Sequence, residues 1–211
     1  MLAELMREVL ALAPNYSAST NPQMRRRKDA LDEMASVAES WLPEWSGEYT
    51  KALGMCAQGG GQQGAVSPIA WMRVFSRVNS PNATRGLYCV YLFDAVGSSA
   101  FLSLNMGTSE LRNGHWRSIN DAHAIERQSD WIRLGLDRMG VDLSWADDEP
   151  MNLRVDALVD TGVVRSVDPA LKARNYEAGN VASLHYERGS IPEDEFLKAD
   201  LFGALSALVR S

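Results

Sequence analysis

The feature of this sequence that most constrains its fold is a long apolar run, a short turn and a second apolar run. Residues 86–94 are almost continuously apolar and rich in aromatic and β-branched side chains, a pattern typical of a strand buried on both faces. Asp94 and Gly97 then favour a turn, because aspartate can bond its own backbone and glycine tolerates positive φ. Within residues 99–108, the apolar side chains Leu102, Leu104 and Met106 alternate with Phe101, Ser103 and Asn105, as in a half-buried strand. We therefore predict a β-hairpin at the centre of a sheet.

The remaining apolar residues predict helices and further strands around this hairpin. Apolar side chains recur at helical spacing in four segments, which are residues 2–12, 22–42, 121–139 and from 191 onward. Further patterns predict strands over residues 48–56, 69–75 and 153–159, a glycine-rich loop over 58–64 and a loop over 175–186. This order predicts an α/β (α+β) fold with a mixed, largely antiparallel central sheet flanked by helices. It divides the chain into an N-terminal helical extension, residues 1–44, and a main domain, residues 45–211.

Composition and charge place the chain among ordinary soluble proteins. Its 211 residues are 45% apolar and 23% charged, and no window is apolar enough to span a membrane. The first residues lack the pattern of a secretory signal, so we expect a cytoplasmic protein with no membrane partner. In that setting Cys56 and Cys89 are expected to be reduced. The net charge of −6 argues against indiscriminate coating of nucleic acid.

The charge is unevenly distributed along the chain. Residues 49–120 contain six basic and two acidic residues, a net charge of +4, so the rest of the chain carries −10. Such a basic region can present a phosphate-binding face, although scattered surface arginines would give the same count. A second basic run, residues 25–28, lies at the predicted start of a helix. It is either a solvated helix face or a phosphate contact.

Residue patterns that carry catalysis or bind cofactors are scarce. His115, His123 and His185 are far apart, and none has the spacing of metal ligands. No serine lies in a nucleophile elbow, and the glycine-rich loop lacks the Lys-Ser/Thr ending of a nucleotide-binding loop. A nuclease core of two carboxylates and a lysine is harder to exclude, but no lysine follows a strand-like acidic motif. We therefore predict a binding protein without catalytic residues, metal or cofactor.

Four segments together carry a resemblance to a known family. They are residues 69–71 (Ile-Ala-Trp), 86–93 (Gly-Leu-Tyr-Cys-Val-Tyr-Leu-Phe), 101–108 (Phe-Leu-Ser-Leu-Asn-Met-Gly-Thr) and 175–180 (Asn-Tyr-Glu-Ala-Gly-Asn). In this combination the chain resembles the McrB N-terminal DNA-recognition domain family, the McrB-N-like domain of modification-dependent restriction systems. The resemblance spans roughly residues 45–209. One departure is Ala70, where the family often has proline.

The resemblance implies recognition of a modified cytosine in DNA, 5-methylcytosine or 5-hydroxymethylcytosine, by flipping the base into a pocket. Matching the family's motifs places this modified-base pocket on Trp71, Tyr88 and Leu92. The glycine-rich loop would supply the side chain that fills the vacated duplex position, with Gln62 and Gln63 as candidates. The family has an aromatic residue there, and a glutamine could instead hydrogen-bond the orphaned guanine. Without the resemblance, the three pocket residues would be interpreted as core.

Three arginines and the implied partners complete the hypothesis. Arg73, Arg77 and Arg85 flank the pocket residues in sequence, and we expect some of them to contact DNA phosphates. The predicted partners are double-stranded DNA carrying a modified base and a nuclease or NTPase domain or subunit of a type IV-like restriction system. No enzyme activity is therefore expected of this chain itself.

Several alternatives stay open at this point. The chain could instead be a modification-dependent endonuclease with an unrecognised catalytic site, or a protein-interaction domain. The DNA modification that the protein recognises also stays open: it could be methyl-, hydroxymethyl- or glucosylated cytosine, methyladenine or a backbone phosphorothioate. Whether the chain is a fragment of a larger restriction protein is open as well.

Overall fold

A five-stranded antiparallel sheet forms the centre of the fold. The structure is a computed structural model that describes residues 1–17, 21–45, 47–60, 67–119, 121–157 and 167–210. The strands of the sheet are β1 (Met55–Gly59), β2 (Ala70–Ser76), β3 (Leu87–Phe93), β4 (Ser99–Met106) and β7 (Asn180–Glu187). A separate hairpin consists of β5 (Ser109–Arg112) and β6 (His115–Ser118). The helices are α1 (Leu2–Leu12), α2 (Pro22–Trp45), α3 (Gly47–Ala52), α4 (Ala122–Arg138), α5 (Val167–Ala178) and α6 (Asp194–Arg210).

The order of the strands confirms the predicted fold class. The sheet has the order β1-β2-β3-β4-β7, and every neighbouring pair is antiparallel. Strands β3 and β4 form the predicted hairpin, with Leu87 opposite Met106 and Phe93 opposite Ala100. All residues of β3 after Leu87 are buried. The continuous apolar run of this central strand therefore reflects cover on both faces of the sheet.

Helices α1, α2 and α6 cover one face of the sheet, here called the helix face. Alternate side chains of the strands join apolar side chains of these helices in one core. Fully buried members of this core include Met6, Met34, Met72, Tyr91 and Leu201. Helices α1 and α2 thus share a core with the sheet, while the domain boundary predicted at residue 44 stays a prediction.

Residues 151–155 and helix α5 cover the opposite face of the sheet, here called the second face. The apolar cluster there consists of Tyr16, Met24, Cys56, Ile69, Phe75, Tyr88, Val90, Leu92, Ala95, Phe101, Met151, Leu153, Val155 and Ala173, with Trp71 and Tyr176 packed against it. This face also buries the polar strand residues Arg73, Ser103, Asn105 and Ser183. The second face therefore carries a charged side chain and three further polar side chains within the sheet.

Three local predictions are wrong. Residues 48–56 were expected to form a strand, but α3 occupies most of this segment and β1 begins only at Met55. Helix α2 passes through Pro43 and ends at Trp45, which is possible because a proline in the last turn removes only one helical hydrogen bond. The loop predicted over residues 175–186 contains the end of α5 and most of β7. For β7, pairing with β4 overrides the loop-like local pattern.

Some elements are absent from the described part of the chain. Residues 153–157 form no strand, and the rest of the strand predicted over 153–159 lies outside the described residues. No described helix combines the length and apolar character that a bilayer span requires. Within the same residues, no group of three or more histidine, cysteine or acidic side chains is placed to hold a metal ion.

Candidate nucleic-acid interface

A row of four side chains crosses the second face near the start of β2. Trp71 on β2 lies opposite Leu92 on β3, and Leu92 lies opposite Phe101 on β4. Phe101 in turn lies opposite His185 on β7, and the two rings stack with centroids 4.8 Å apart and planes 18° apart. Because directly opposite residues on one face are neighbours, the predicted pocket residues Trp71 and Leu92 are brought together.

The indole of Trp71 lies against the start of the glycine-rich segment. The Gly60 N–H donates to the Trp71 carbonyl oxygen over 2.8 Å, and a Cβ at Gly60 would lie 2.3 Å from the indole ring. Only glycine fits this close approach. The predicted plugging residues Gln62 and Gln63 lie outside the described residues, so their role stays a prediction.

The other two predicted pocket residues are fully buried. Leu92 has no exposed surface and Tyr88 is 1% exposed. The Tyr88 hydroxyl donates to the Ala83 carbonyl oxygen over 3.0 Å, and burial raises the pKa of this phenol far above its ordinary value. Tyr88 lies on the same face as Leu92, as their spacing predicts. It comes four residues earlier in β3, about 13 Å away. Trp71 is thus the only one of the three with a partly exposed side chain.

Arg73 is buried between strands rather than displayed to solvent. It is 3% exposed, and its Nε and Nη2 both donate to the Gln58 side-chain oxygen, over 3.1 and 2.9 Å. Its guanidinium lies 3.6 Å from the centroid of the Phe75 ring, and burial lowers its pKa. Arg73 therefore links β1 to β2. The phosphate contact predicted for Arg73 stays a prediction, and the buried position of its guanidinium does not favour it.

Arg77 and Arg85 lie at the far end of the sheet from Trp71. Arg77 follows the last residue of β2, is exposed, and donates from Nε to the Cys56 sulfur over 3.3 Å. Arg85 precedes β3 and is half-buried. Six residues of extended chain separate Trp71 from Arg77, a distance of about 20 Å. The predicted cations therefore flank the Tyr88 end of the second face, and a ligand that reached both ends would have to be long.

The hairpin of β5 and β6 is a feature that the sequence predictions missed. Its turn residues Asn113 and Gly114 have φ of 51° and 77°, as a type I′ turn requires. The Ser109 N–H donates to the Thr84 carbonyl oxygen over 2.9 Å, which joins the hairpin to the loop that carries Arg85. An Asn-Gly pair between two short β-prone runs is the sequence signal that could have identified it.

Two cavities lie outside the predicted pocket. One of about 280 Å³ is lined by residues around the cover of the second face, including Asp156, Arg174 and Glu177. Burial raises the pKa of Glu177, even though its carboxylate accepts a hydrogen bond from the Leu153 N–H. The other cavity, of about 230 Å³, opens near Leu87. Neither cavity is lined by Trp71, Tyr88 or Leu92.

An antiparallel sheet with helices α1, α2 and α6 on one face and helix α5 with residues 151–155 on the other defines an α+β domain, and the family comparison agrees with this class. Residues 15–209 match the family described as "MrcB-like, N-terminal domain", so the chain belongs to that family. This confirms the resemblance over nearly the whole chain and extends it to include α2. The family consists of McrB-like N-terminal domains of restriction systems, which are DNA-binding modules. A search of curated proteins found no match, and a search of solved structures also found none.

Proposed function

We propose that this domain reads modified cytosine, 5-methylcytosine or 5-hydroxymethylcytosine, in double-stranded DNA by flipping the base out of the duplex. The observation that carries the proposal is the partly exposed indole of Trp71 directly opposite Leu92, on one sheet face of a domain from a DNA-binding family. The domain would then act as the specificity module of a modification-dependent, type IV-like restriction system. A nuclease or NTPase domain or subunit would supply the catalytic residues.

The chemistry of these two side chains suits a flipped pyrimidine. Stacking on an aromatic ring contributes about 1–3 kcal/mol per base, and extrusion of a base costs a few kcal/mol. An apolar wall such as Leu92 distinguishes one methyl group by about 1–3 kcal/mol. Preference for the modified base should therefore be about 10- to 200-fold rather than absolute.

The burial of Leu92 and Tyr88 assigns the pocket residues different parts in this proposal. Trp71 makes the first contact because its side chain alone is accessible. A base that reached Leu92 would displace part of the cover formed by residues 151–155. Tyr88 lies about 13 Å from Leu92 along β3 with its hydroxyl held by Ala83, so in this proposal it supports the pocket from the far end rather than contacting a base stacked on Trp71. Gln62 or Gln63 would fill the vacated duplex position, and exposed Arg77 would contact a phosphate.

The test is a binding series on one duplex that carries unmodified, 5-methyl-, 5-hydroxymethyl- or glucosylated cytosine at a single position, with methyladenine as a control. Trp71→Ala should lose the preference for the modified base. Trp131→Ala is the matched control, because Trp131 is 75% exposed on α4, on the flank of the sheet beyond β7. It should retain the preference.

Tyr88 needs a milder substitution than truncation because it is fully buried. Tyr88→Phe removes only the bond to Ala83 and should keep the fold. Equal binding of the wild-type domain to all duplexes would refute the proposal. Metal-dependent cleavage of the duplex by this chain alone would instead establish an endonuclease.

A further inference from the structure

The β5–β6 hairpin presents cationic and apolar side chains to solvent. Arg112 and Leu111 on β5 are 66% and 59% exposed, and His115 at the start of β6 is exposed as well. The nearest acidic group, Glu110, is paired with Arg112 at 2.6 Å. A Cβ at Gly114 would meet nothing within 4 Å, so the tip of the hairpin is open. A two-stranded hairpin alone has little stability in water, and here the Ser109 N–H bonds the Thr84 carbonyl oxygen, which joins it to the rest of the fold.

The charge of this end of the molecule is opposite to that of the whole chain. The hairpin and residues 77–86 are joined through the bond between Ser109 and Thr84 and are together called the ribbon end. Among the side chains that the structure describes, the ribbon end contains three arginines (Arg77, Arg85 and Arg112) and one glutamate, while the chain carries a net charge of −6. A local cationic surface on an acidic protein attracts an anionic partner and leaves the rest of the surface repelling it.

The dimensions of the hairpin match a groove of duplex DNA. Strands of four residues are about 14 Å long, and the major groove, about 12 Å wide, admits a two-stranded ribbon. The type I′ turn at Asn113 and Gly114 follows the natural twist of the two strands. Exposed Leu111 could contact a thymine methyl group there.

We propose that the β5–β6 hairpin enters the major groove of the duplex and that Arg112 contacts a phosphate. This inference rests on the proposed function, because it takes duplex DNA as the ligand. The hairpin is tied to the second face through one short path: Tyr88 bonds Ala83, and the neighbouring Thr84 bonds Ser109. Arg77, which belongs to the ribbon end, lies about 20 Å from Trp71, which is about six base-pair steps. Under this inference a single duplex therefore has to contact Trp71 and the ribbon end together.

The test compares Arg112→Gln with Arg138→Gln, a matched loss of one exposed arginine at the end of α4. Affinities are measured on modified and unmodified duplexes between 50 and 200 mM salt. Arg112→Gln should weaken binding to both duplexes about 5- to 10-fold near 100 mM salt and reduce the salt slope by about 1. Arg138→Gln should change neither. Glu110→Gln should tighten binding, because it frees Arg112 from its acidic partner.

A thiol footprint locates the contact directly. Cys56 and Cys89 are buried, so a single exposed thiol introduced by His115→Cys can be followed by its rate of alkylation. Duplex DNA should slow alkylation at this position and leave Met139→Cys, a 60%-exposed position after α4, unaffected. Equal rates with and without DNA at the hairpin position would overturn the inference.

The outcomes separate this inference from the proposed function. If Trp71→Ala abolishes the preference for modified cytosine while Arg112→Gln leaves affinity and salt slope unchanged, the groove contact is wrong and base reading stands. If Arg112→Gln weakens binding but wild-type protein shows no preference for any base, base reading is wrong and the groove contact stands. If wild-type protein binds no duplex, both are wrong.

Discussion

The close approach of Gly60 to Trp71 provides the sharpest single test of the site. The φ of Gly60 lies outside the left-handed region, so alanine suits its backbone conformation, but a Cβ would lie 2.3 Å from the indole and 2.7 Å from the Trp71 carbonyl oxygen. Either the ring or the segment must move. Forced overpacking of this kind costs about 1–3 kcal/mol, whereas the same substitution in open space would stabilise by about 0.4–1 kcal/mol.

The matched control for Gly60→Ala is Gly135→Ala. Gly135 lies inside α4, where an added Cβ meets nothing within 4 Å, and its replacement should stabilise the domain by about 0.5–1 kcal/mol. Urea unfolding followed by far-ultraviolet circular dichroism measures both changes. The two variants should therefore shift the free energy of unfolding in opposite directions.

Binding measurements on the same two variants connect the geometry to function. If the indole stacks on the flipped base for about 1–3 kcal/mol, displacing it should reduce the preference for modified cytosine by about 5- to 150-fold. Affinity for the unmodified duplex should fall little, and Gly135→Ala should behave as wild type. A Gly60→Ala domain as stable as Gly135→Ala, with its preference intact, would refute the reasoning about this contact.

Three further predictions follow from burial and charge. Leu92→Ala should lower the free energy of unfolding by about 2–5 kcal/mol because Leu92 has no exposed surface, whereas Leu92→Met should lower it by less than about 1.5 kcal/mol. Equal effects of the two substitutions in urea unfolding would contradict this. Burial opposes ionisation of Asp194, but hydrogen bonds from the Ala3 N–H, the N-terminal ammonium of Met1 and the Leu2 N–H outweigh burial and lower the pKa of Asp194. The stabilising effect of Asp194 is therefore present above its unfolded pKa and lost as the pH falls through its folded pKa. Asp194→Asn should therefore destabilise the domain at pH 7 and have no effect near pH 2, and thermal melts that differ equally at both pH values would argue against it. Burial raises the pKa of Glu177. The stabilisation contributed by its neutral carboxyl is therefore complete below the unfolded pKa and lost as the pH rises through the folded pKa. Glu177→Gln should raise the melting temperature at pH 7 and leave it unchanged at pH 3.

The burial of Arg73 illustrates what a strand pattern leaves undetermined. The alternation along β2 predicts that Trp71 and Arg73 share a face, and they do so on the second face. The pattern of one strand does not show that Gln58 on β1 accepts two hydrogen bonds from the guanidinium. That pairing follows from the register of β1 against β2, which is set by contacts between distant parts of the chain.

The end of the chain illustrates the same limit for secondary structure. Strand β7 carries Asn180 and Ser183 toward the second face, where the Asn180 side chain accepts a hydrogen bond from the Ser103 hydroxyl and donates one to the Ser183 hydroxyl. Polar residues in such a pattern are typical of a loop, and only the place beside β4 supplies their partners. Element α6 was predicted correctly because its leucines recur at helical spacing whatever surrounds it.

The amino-acid sequence by itself determined the central hairpin, the main helices, the α+β class and the family. These depend on apolar periodicity and on short motifs, which are properties of neighbouring residues. The tertiary structure decided which of the predicted site residues are accessible: it leaves Trp71 partly exposed, buries Tyr88 and Leu92, and moves Arg77 to the far end of the sheet. It also revealed the exposed β5–β6 hairpin. The physical reason is that accessibility depends on which distant segments pack over a face, and the period of a strand specifies the face but not its cover.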